Sequence, residues 1–339
     1  MKKILLSLLM LCSITMARAQ FTVVDADTKD TLPGVYVFSE TGKLLAMSDE
    51  NGQVKEQAGK VVLSMISYET QTIDATGLTG EVELKGKPLT LNEVVVGRTE
   101  YLKISAVFRD VIKNFDNLVV YREGLVDYYY NAKSKKYKRM VRACRQYEHP
   151  DLRNMKNDSV AIMLMPLLDF NKLKHVEQVG SDVHGNTTVV ETKYGKKVVK
   201  DGMIKMERDG LTREIVDQMK YLNRNTVGFL GLHYKLTKHI TDWVSNETMD
   251  HLAMENIISF RDYREEEFQW SKKSLVIPIS TTSDVVVYSV TNLKTQEAKE
   301  EMKDKNTTTD FTLPDCLPGM PETIREQAQK LVLKKFRER

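Results

Sequence analysis

The sequence predicts a mainly β chain of α+β type. A small two-sheet β-sandwich over residues 20–97 precedes an α+β domain with a curved antiparallel sheet over residues 98–339. Three observations carry this reading. Short β-favouring runs separated by turn residues fill the first stretch. The hydrophobic period changes from two to about 3.6 directly after Gly97. From about residue 175, glycine-containing turns recur at short, regular intervals.

The chain opens with the three zones of a secretory signal. Lys2 and Lys3 form a positive start, residues 4–16 are apolar, and Ala17-Arg18-Ala19 presents small residues at the positions a signal peptidase reads. Residues 1–19 are therefore expected to be removed between Ala19 and Gln20. Cys12 invites a lipoprotein reading, but the bulky Leu11 before it favours simple cleavage. The apolar run is too short to span a bilayer and no later stretch is longer, so no transmembrane segment is expected in the mature chain.

Cleavage changes the charge balance. The 50 basic residues fall to 47 on loss of Lys2, Lys3 and Arg18, equal to the 47 acidic ones. A neutral, exported chain argues against a general attraction to nucleic acid. Its 320 remaining residues are enough for two cores. Of three cysteines, Cys144 and Cys316 survive. They could form one disulfide, tying the chain's end to the start of the second domain, or remain two isolated thiols.

Within the first domain, residues 21–24 precede a turn at Leu32-Pro33-Gly34, and Val35-Tyr36-Val37-Phe38 follows. Residues 44–47 lead into Asp49-Glu50-Asn51-Gly52, where Asn and Gly accept the left-handed backbone of a tight turn. Residues 61–66 are the most apolar strand and the expected sandwich centre. Residues 68–73, 81–84 and 93–96 bring the count to seven or eight, which suits an Ig-like sandwich.

On these residues a resemblance becomes specific. Val24-Asp25, the Leu32-Pro33-Gly34 turn with Val35-Tyr36-Val37, Asp49-Glu50-Asn51-Gly52, Ser64-Met65-Ile66-Ser67-Tyr68-Glu69 and Leu91-Asn92-Glu93-Val94-Val95-Val96 appear in the order of the carboxypeptidase-D regulatory-like domain. The resemblance implies a transthyretin-like (prealbumin-like), Ig-like sandwich. It also implies an accessory module of cell-envelope proteins, with no catalytic residues to carry over. Two positions depart from the family pattern: Gln20-Phe21 replaces an opening Gly, and Ser67 stands where Gly often precedes the Tyr. The family also heads TonB-dependent receptors, but the stretch after Gly97 has too few strands for such a barrel. Val94-Val95-Val96 reads as an edge or exit strand.

After Gly97, Ile104, Val107, Phe108, Val111, Ile112 and Phe115 fall at helical spacing, with Arg109, Asp110, Lys113 and Asn114 opposite. This predicts an amphipathic helix packed on a sheet. Residues 126–132 and 137–147 flank Lys133-Ser134-Lys135-Lys136 as a hairpin with a charged tip. Its basic residues, with Lys138, Arg139, Arg142 and Arg145, lie among Tyr128, Tyr129, Tyr130 and Tyr137. That mixture fits a solvated strand face protected by lysines, or a surface for anionic glycans or headgroups. Residues 189–192, 197–199, 203–206 and 211–215 form a meander. Residues 216–258 are mixed, with patchy helical periodicity around Met219-Lys220-Tyr221-Leu222. Residues 274–279 and 285–290 read as a strand pair, and 295–310 as a loop or exposed helix. Ile324, Ala328, Leu331, Val332 and Phe336 predict a final amphipathic helix.

No catalytic constellation stands out. His149, His175, His184, His233, His239 and His251 form no HExxH, and neither cysteine sits in a CxxC pair, so no metal site is expected. Asp262, Glu265, Glu266 and Glu267, beside Arg261 and Arg264, read as a solvated acidic run. No nucleophile elbow or phosphate loop is present, so no catalytic residue and no cofactor is assigned. The expected function is a non-catalytic binding or accessory protein, periplasmic or outer-membrane-associated in a Gram-negative-type envelope. Its partner would be an envelope protein, glycan or lipid. Two alternatives stay open: a carrier shielding an apolar ligand in the concave face of the second domain, and a hydrolase of envelope polymers with scattered residues.

Overall fold

The structure is a computed structural model. It describes residues 20–87, 100–150, 188–246 and 256–334, apart from positions 56, 193, 194, 201, 209, 223 and 230. The expected signal segment, residues 1–19, the Val94-Val95-Val96 segment, His175, His184 and His251 lie outside the described residues.

Among the described residues, seven strands build the sandwich. In one sheet β1 (Gln20–Asp25) lies between β4 (Gln53–Lys55), antiparallel to it, and β7 (Gly80–Leu84), parallel to it. In the other, β2 (Tyr36–Ser39) lies between β3 (Leu44–Met47) and β5 (Lys60–Ser64), with β6 (Gln71–Asp74) beyond β5. Alternate residues interleave between the sheets: Phe21, Val23, Val82 and Leu84 meet Val35, Val37, Val61 and Leu63 in one core. The tight turn forms as expected. Asp49 Oδ1 accepts from the backbone N–H of Asn51 and Gln53, both at 2.9 Å, and Gly52 takes φ +75°.

A sandwich strand with one wet face would alternate buried and exposed residues. β2 and β5 do not. Tyr36, Phe38, Val62 and Ser64 are as buried as their core-facing neighbours. Their outward face is covered by a third layer.

Among the described residues, that layer is a sheet of twelve strands. Its order is β11 (Thr188–Thr192), β12 (Gly195–Lys200), β13 (Met203–Arg208), β14 (Leu211–Asp217), β16 (Leu232–Ser245), β17 (Ile257–Gln269), β18 (Ile277–Leu293), β8 (Tyr101–Asn114), β9 (Asn117–Asn131), β10 (Lys136–Glu148) and β19 (Val332–Lys334). β15 (Thr226–Phe229) pairs with β16 beside this path. Every neighbouring pair is antiparallel. The meander and the lysine-tipped hairpin form where the sequence places them.

Four expectations are corrected. Residues 104–115 are not a helix; they lie in strand β8 and the turn after it. The strand is buried on both faces, so its apolar residues fall on either side and mimic a helical period, while its β-branched content favours the extended form. Arg109, Asp110, Lys113 and Asn114, which suggest a solvated face, are all buried. The expected strand pair over 274–279 and 285–290 is instead one long strand, β18 (Ile277–Leu293), with no turn at 280–284. The acidic run of 262–267 is not a solvated segment but part of β17, with Asp262 and Glu266 buried. The final helix, α2 (Glu322–Gln329), stops early, and Val332 belongs to β19, where Leu333 lies opposite Tyr147. An earlier helix, α1 (Thr295–Glu301), follows β18, and a 3-10 turn occupies Gln218–Tyr221. Among the described residues no helix is long and apolar enough to cross a membrane.

Candidate functional site

The outer face of the sandwich packs flat on the middle of the large sheet. Tyr36, Phe38, Leu44 and Val62 meet Ile215, Ile240 and Tyr263, and Ile66 meets Val244 and Ile258. Strand alternation decides what faces the seam. On β17, Arg261 and Tyr263 point to the sandwich, while Asp262, Arg264 and Glu266 point away.

Buried charges sit within this apolar seam, each with a partner. Asp284 lies opposite Arg261 on one neighbouring strand and Arg109 on the other. Arg261 Nε donates to its Oδ1 at 2.6 Å, and Arg109 Nη2 donates to its Oδ2 at 2.7 Å. Burial alone would raise the Asp284 carboxyl, but the two guanidiniums outweigh it and hold the group below its ordinary value. Arg261 then crosses to the sandwich. Its guanidinium lies 4.9 Å from the Tyr36 ring centroid, and Nη1 donates to Ser64 Oγ at 3.2 Å.

Two more cations cross the seam. Arg213 donates to both oxygens of Asp242 and also to the carbonyl oxygens of Pro33 and Gly34, at 3.3 and 3.0 Å. Lys113 Nζ donates to the Thr41 carbonyl at 2.9 Å. In the other direction, the Leu44 N–H donates to the Tyr263 hydroxyl at 3.3 Å. Buried ion pairs add little net stability but penalise every arrangement that leaves them unpaired. These contacts fix the angle and register at which the sandwich docks.

Towards the meander the two layers part and leave a crevice of about 400 Å³. Leu44, Ala46 and Met47 of the edge strand β3 form one wall, and Ile204, Ile215 and Ile240 form the other. Glu50, Asp217 and Lys238 supply its polar groups. Apolar walls with a few charged groups, at a boundary between two structural units, are what a small-molecule site requires, and the volume lies in the usual range.

The residues singled out in the sequence do not converge here. Cys144 is buried and Cys316 half-buried, and both are free thiols. Burial pushes the Cys144 thiol up to about 12 and the Cys316 thiol up to about 11, so neither is an activated nucleophile. No group of three potential metal ligands occurs among the described residues. The basic hairpin divides. Lys133, Lys135 and Lys136 are exposed at its tip, whereas Arg142 pairs with Asp127 at 2.9 Å and donates to the carbonyls of Glu301 and Asp304. Arg145 pairs with Glu123 and lies 4.3 Å over the Phe311 ring. These two arginines hold down the C-terminal segment.

On the far face of the sheet, His239 lies 3.3 Å from Asp262, Arg264 donates to both Asp262 oxygens, and the Tyr234 hydroxyl donates to Glu266 at 2.8 Å. Burial raises the Glu266 carboxyl above its ordinary value. This is a structural network of four buried or half-buried groups around Asp262.

The seam residues Arg213, Asp242, Arg261 and Asp284 escape sequence reasoning because each looks like an ordinary surface charge. A faint signal exists: Asp242 and Asp284 each have β-branched residues two positions away on both sides (Ile240 and Val244, Thr282 and Val286), where a wet strand face would show a second charge. No protein-family model matches the chain, and no characterised protein matches it in sequence.

Proposed function

We propose that this chain is a non-catalytic binding or accessory protein of a Gram-negative-type cell envelope, exported by its leader. In this reading a carboxypeptidase-D regulatory-like sandwich and a large curved sheet form a single binding body. The observation that carries it is the crevice of about 400 Å³ walled by both layers. The ligand class that suits it is a small, mostly apolar molecule with one charged or polar group to meet Lys238, Glu50 or Asp217. The seam's arginines and aspartates satisfy one another, which suits a fixed scaffold that holds the crevice's walls in place. One backbone detail supports the family resemblance: Ser67 takes φ +69°, the conformation that Gly, common there in the family, adopts freely.

The test is native mass spectrometry of the full chain purified from a diderm host, before and after organic extraction, with Met47→Trp as a crevice-filling variant. A discrete excess mass on the wild type, removed by extraction and absent from Met47→Trp, is the expected result. A bare polypeptide mass, together with no binding of apolar fluorescent probes, would overturn it.

A further inference from the structure

Three hairpin tips meet at one end of the large sheet. Strand register places them there: Asn114 lies opposite Ile279, Phe268 opposite Ile277, and His233 opposite Gln269. The β8–β9, β17–β18 and β15–β16 connections therefore share one rim, and the lysine-tipped β9–β10 hairpin lies at the other end.

Among the described residues, this rim carries five of the nine large apolar side chains that are exposed. Trp270, Leu275 and Val276 project from the β17–β18 tip, Phe115 from the β8–β9 turn, and Val227 from β15. Leu275 is 56 % exposed, Val227 57 % and Trp270 44 %. They are the outward continuation of a buried cluster of Ile112, Val119, Val120, Ile277 and Ile279, against which Phe268 packs. Trp270 is held edge-on to Phe268, with ring centroids 4.8 Å apart, so its indole is a rigid protrusion.

Charge at the β17–β18 tip is one-sided. Lys272 and Lys273 form the apex of the β17–β18 tip, and residues 268–283 contain no Asp or Glu. The acids nearest in the strand register are already matched. Glu267 pairs with Lys235 at 3.1 Å, and Asp116 lies 3.8 Å from Lys113 Nζ.

An amphipathic Trp, aliphatic side chains and lysines on protruding tips match the interfacial layer of a bilayer, where indoles settle at headgroup depth and lysines meet anionic headgroups. A protein partner would call for a flat or grooved face, whereas separate tips suit a soft surface that each can enter independently. We propose that this rim docks the protein peripherally on an anionic membrane surface. The Trp270–Leu275–Val276 tip enters the headgroup layer, and Lys272 and Lys273 contact lipid phosphates. This surface is separate from the seam crevice and does not depend on what the crevice binds.

Vesicle flotation tests it, using the full chain with phosphatidylethanolamine–phosphatidylglycerol vesicles and with phosphatidylcholine alone. The two tryptophans give an internal probe, because Trp243 is buried and only Trp270 is exposed. The wild type should float with the anionic vesicles, its emission should shift to the blue, and iodide should quench it less. The Trp270→Ser/Leu275→Ser variant should lose the association. Lys272→Glu/Lys273→Glu should weaken it about tenfold or more, with unfolding midpoints unchanged because all four side chains are exposed. Three results would overturn the proposal: no flotation of the wild type, equal flotation of the rim variants, or a solution dimer that Trp270→Ser/Leu275→Ser abolishes without any lipid binding.

Discussion

Arg213 closes a two-pronged ion pair on Asp242, at 2.8 and 2.7 Å, in the middle of the seam. Both residues belong to the large sheet, yet the same guanidinium also holds two carbonyl oxygens of the sandwich. Asp242 is wholly buried. The guanidinium's remaining donors are satisfied only when the sandwich is seated, so the pair ties docking to the cost of unsatisfied buried donors.

Replacing Arg213 by Met should therefore be severe. It strands the Asp242 carboxylate without a counter-ion and frees the Pro33 and Gly34 carbonyls. A loss of about 3–5 kcal/mol is expected in urea unfolding followed by Trp243 fluorescence. The Arg213→Met/Asp242→Leu double variant should recover most of it, because no buried charge remains. Near-equal stability of the single variant and the wild type would show that water reaches Asp242.

Gly34 makes a second prediction at the same place. Its φ is +71°, and a Cβ there would run into Ile215 Cδ1. Gly34→Ala combines the left-handed penalty of roughly 1–2 kcal/mol with overpacking of roughly 1–3 kcal/mol. Ile215→Val removes the offending methyl, so in the double variant part of the loss should return. A double-mutant cycle reads that coupling. Strict additivity of the two changes would mean that the seam yields at Ile215 without strain.

The sandwich was legible in the sequence because its signals are local. Asp49-Glu50-Asn51-Gly52 makes its own turn, and the runs around Val37 and Leu63 each fill one strand. The large sheet was legible in the meander for the same reason. β8 was misread because periodicity reports how many faces are buried as well as which element forms. A strand covered on both sides carries apolar residues without a period of two, and Ile104, Phe108 and Ile112 then imitate a helix. The seam was invisible for a different reason. Arg261 and Asp284 are 23 positions apart and Arg109 is 175 from Asp284, so only the pairing of β8, β17 and β18 brings them together. Nothing in a linear reading separates such charges from solvated ones.

Lys113 gives the seam a pH dependence whose sign can be worked out. The residue is 2 % exposed, its ammonium donates to the Thr41 carbonyl, and its counter-charges are Asp116, at 3.8 Å, and more weakly Glu265. Burial lowers it from the ordinary 10.5 to about 8, with Asp116 opposing the shift and Lys43 adding to it. Below pH 8 the group is charged in both folded and unfolded chains, and the full cost of burying that charge is present. Between pH 8 and 10.5 the unfolded chain holds the extra proton, so this residue's contribution to stability rises with pH. The rise is about 1.4 kcal/mol per pH unit. Lys113→Met removes the titration. The stability of the variant minus that of the wild type should be largest at pH 7 and should shrink by up to about 2 kcal/mol by pH 9.5. Cys144 and Cys316, whose thiols are raised, lose stabilising protonation over the upper part of this range, but they do so in both proteins and cancel in the difference. Chemical denaturation at pH 7.0, 8.5 and 9.5 measures it at roughly the spacing that one titration spans. A difference that stays flat across the three would mean that Lys113 keeps its proton in the fold, held by a hydrated path to the Thr41 carbonyl.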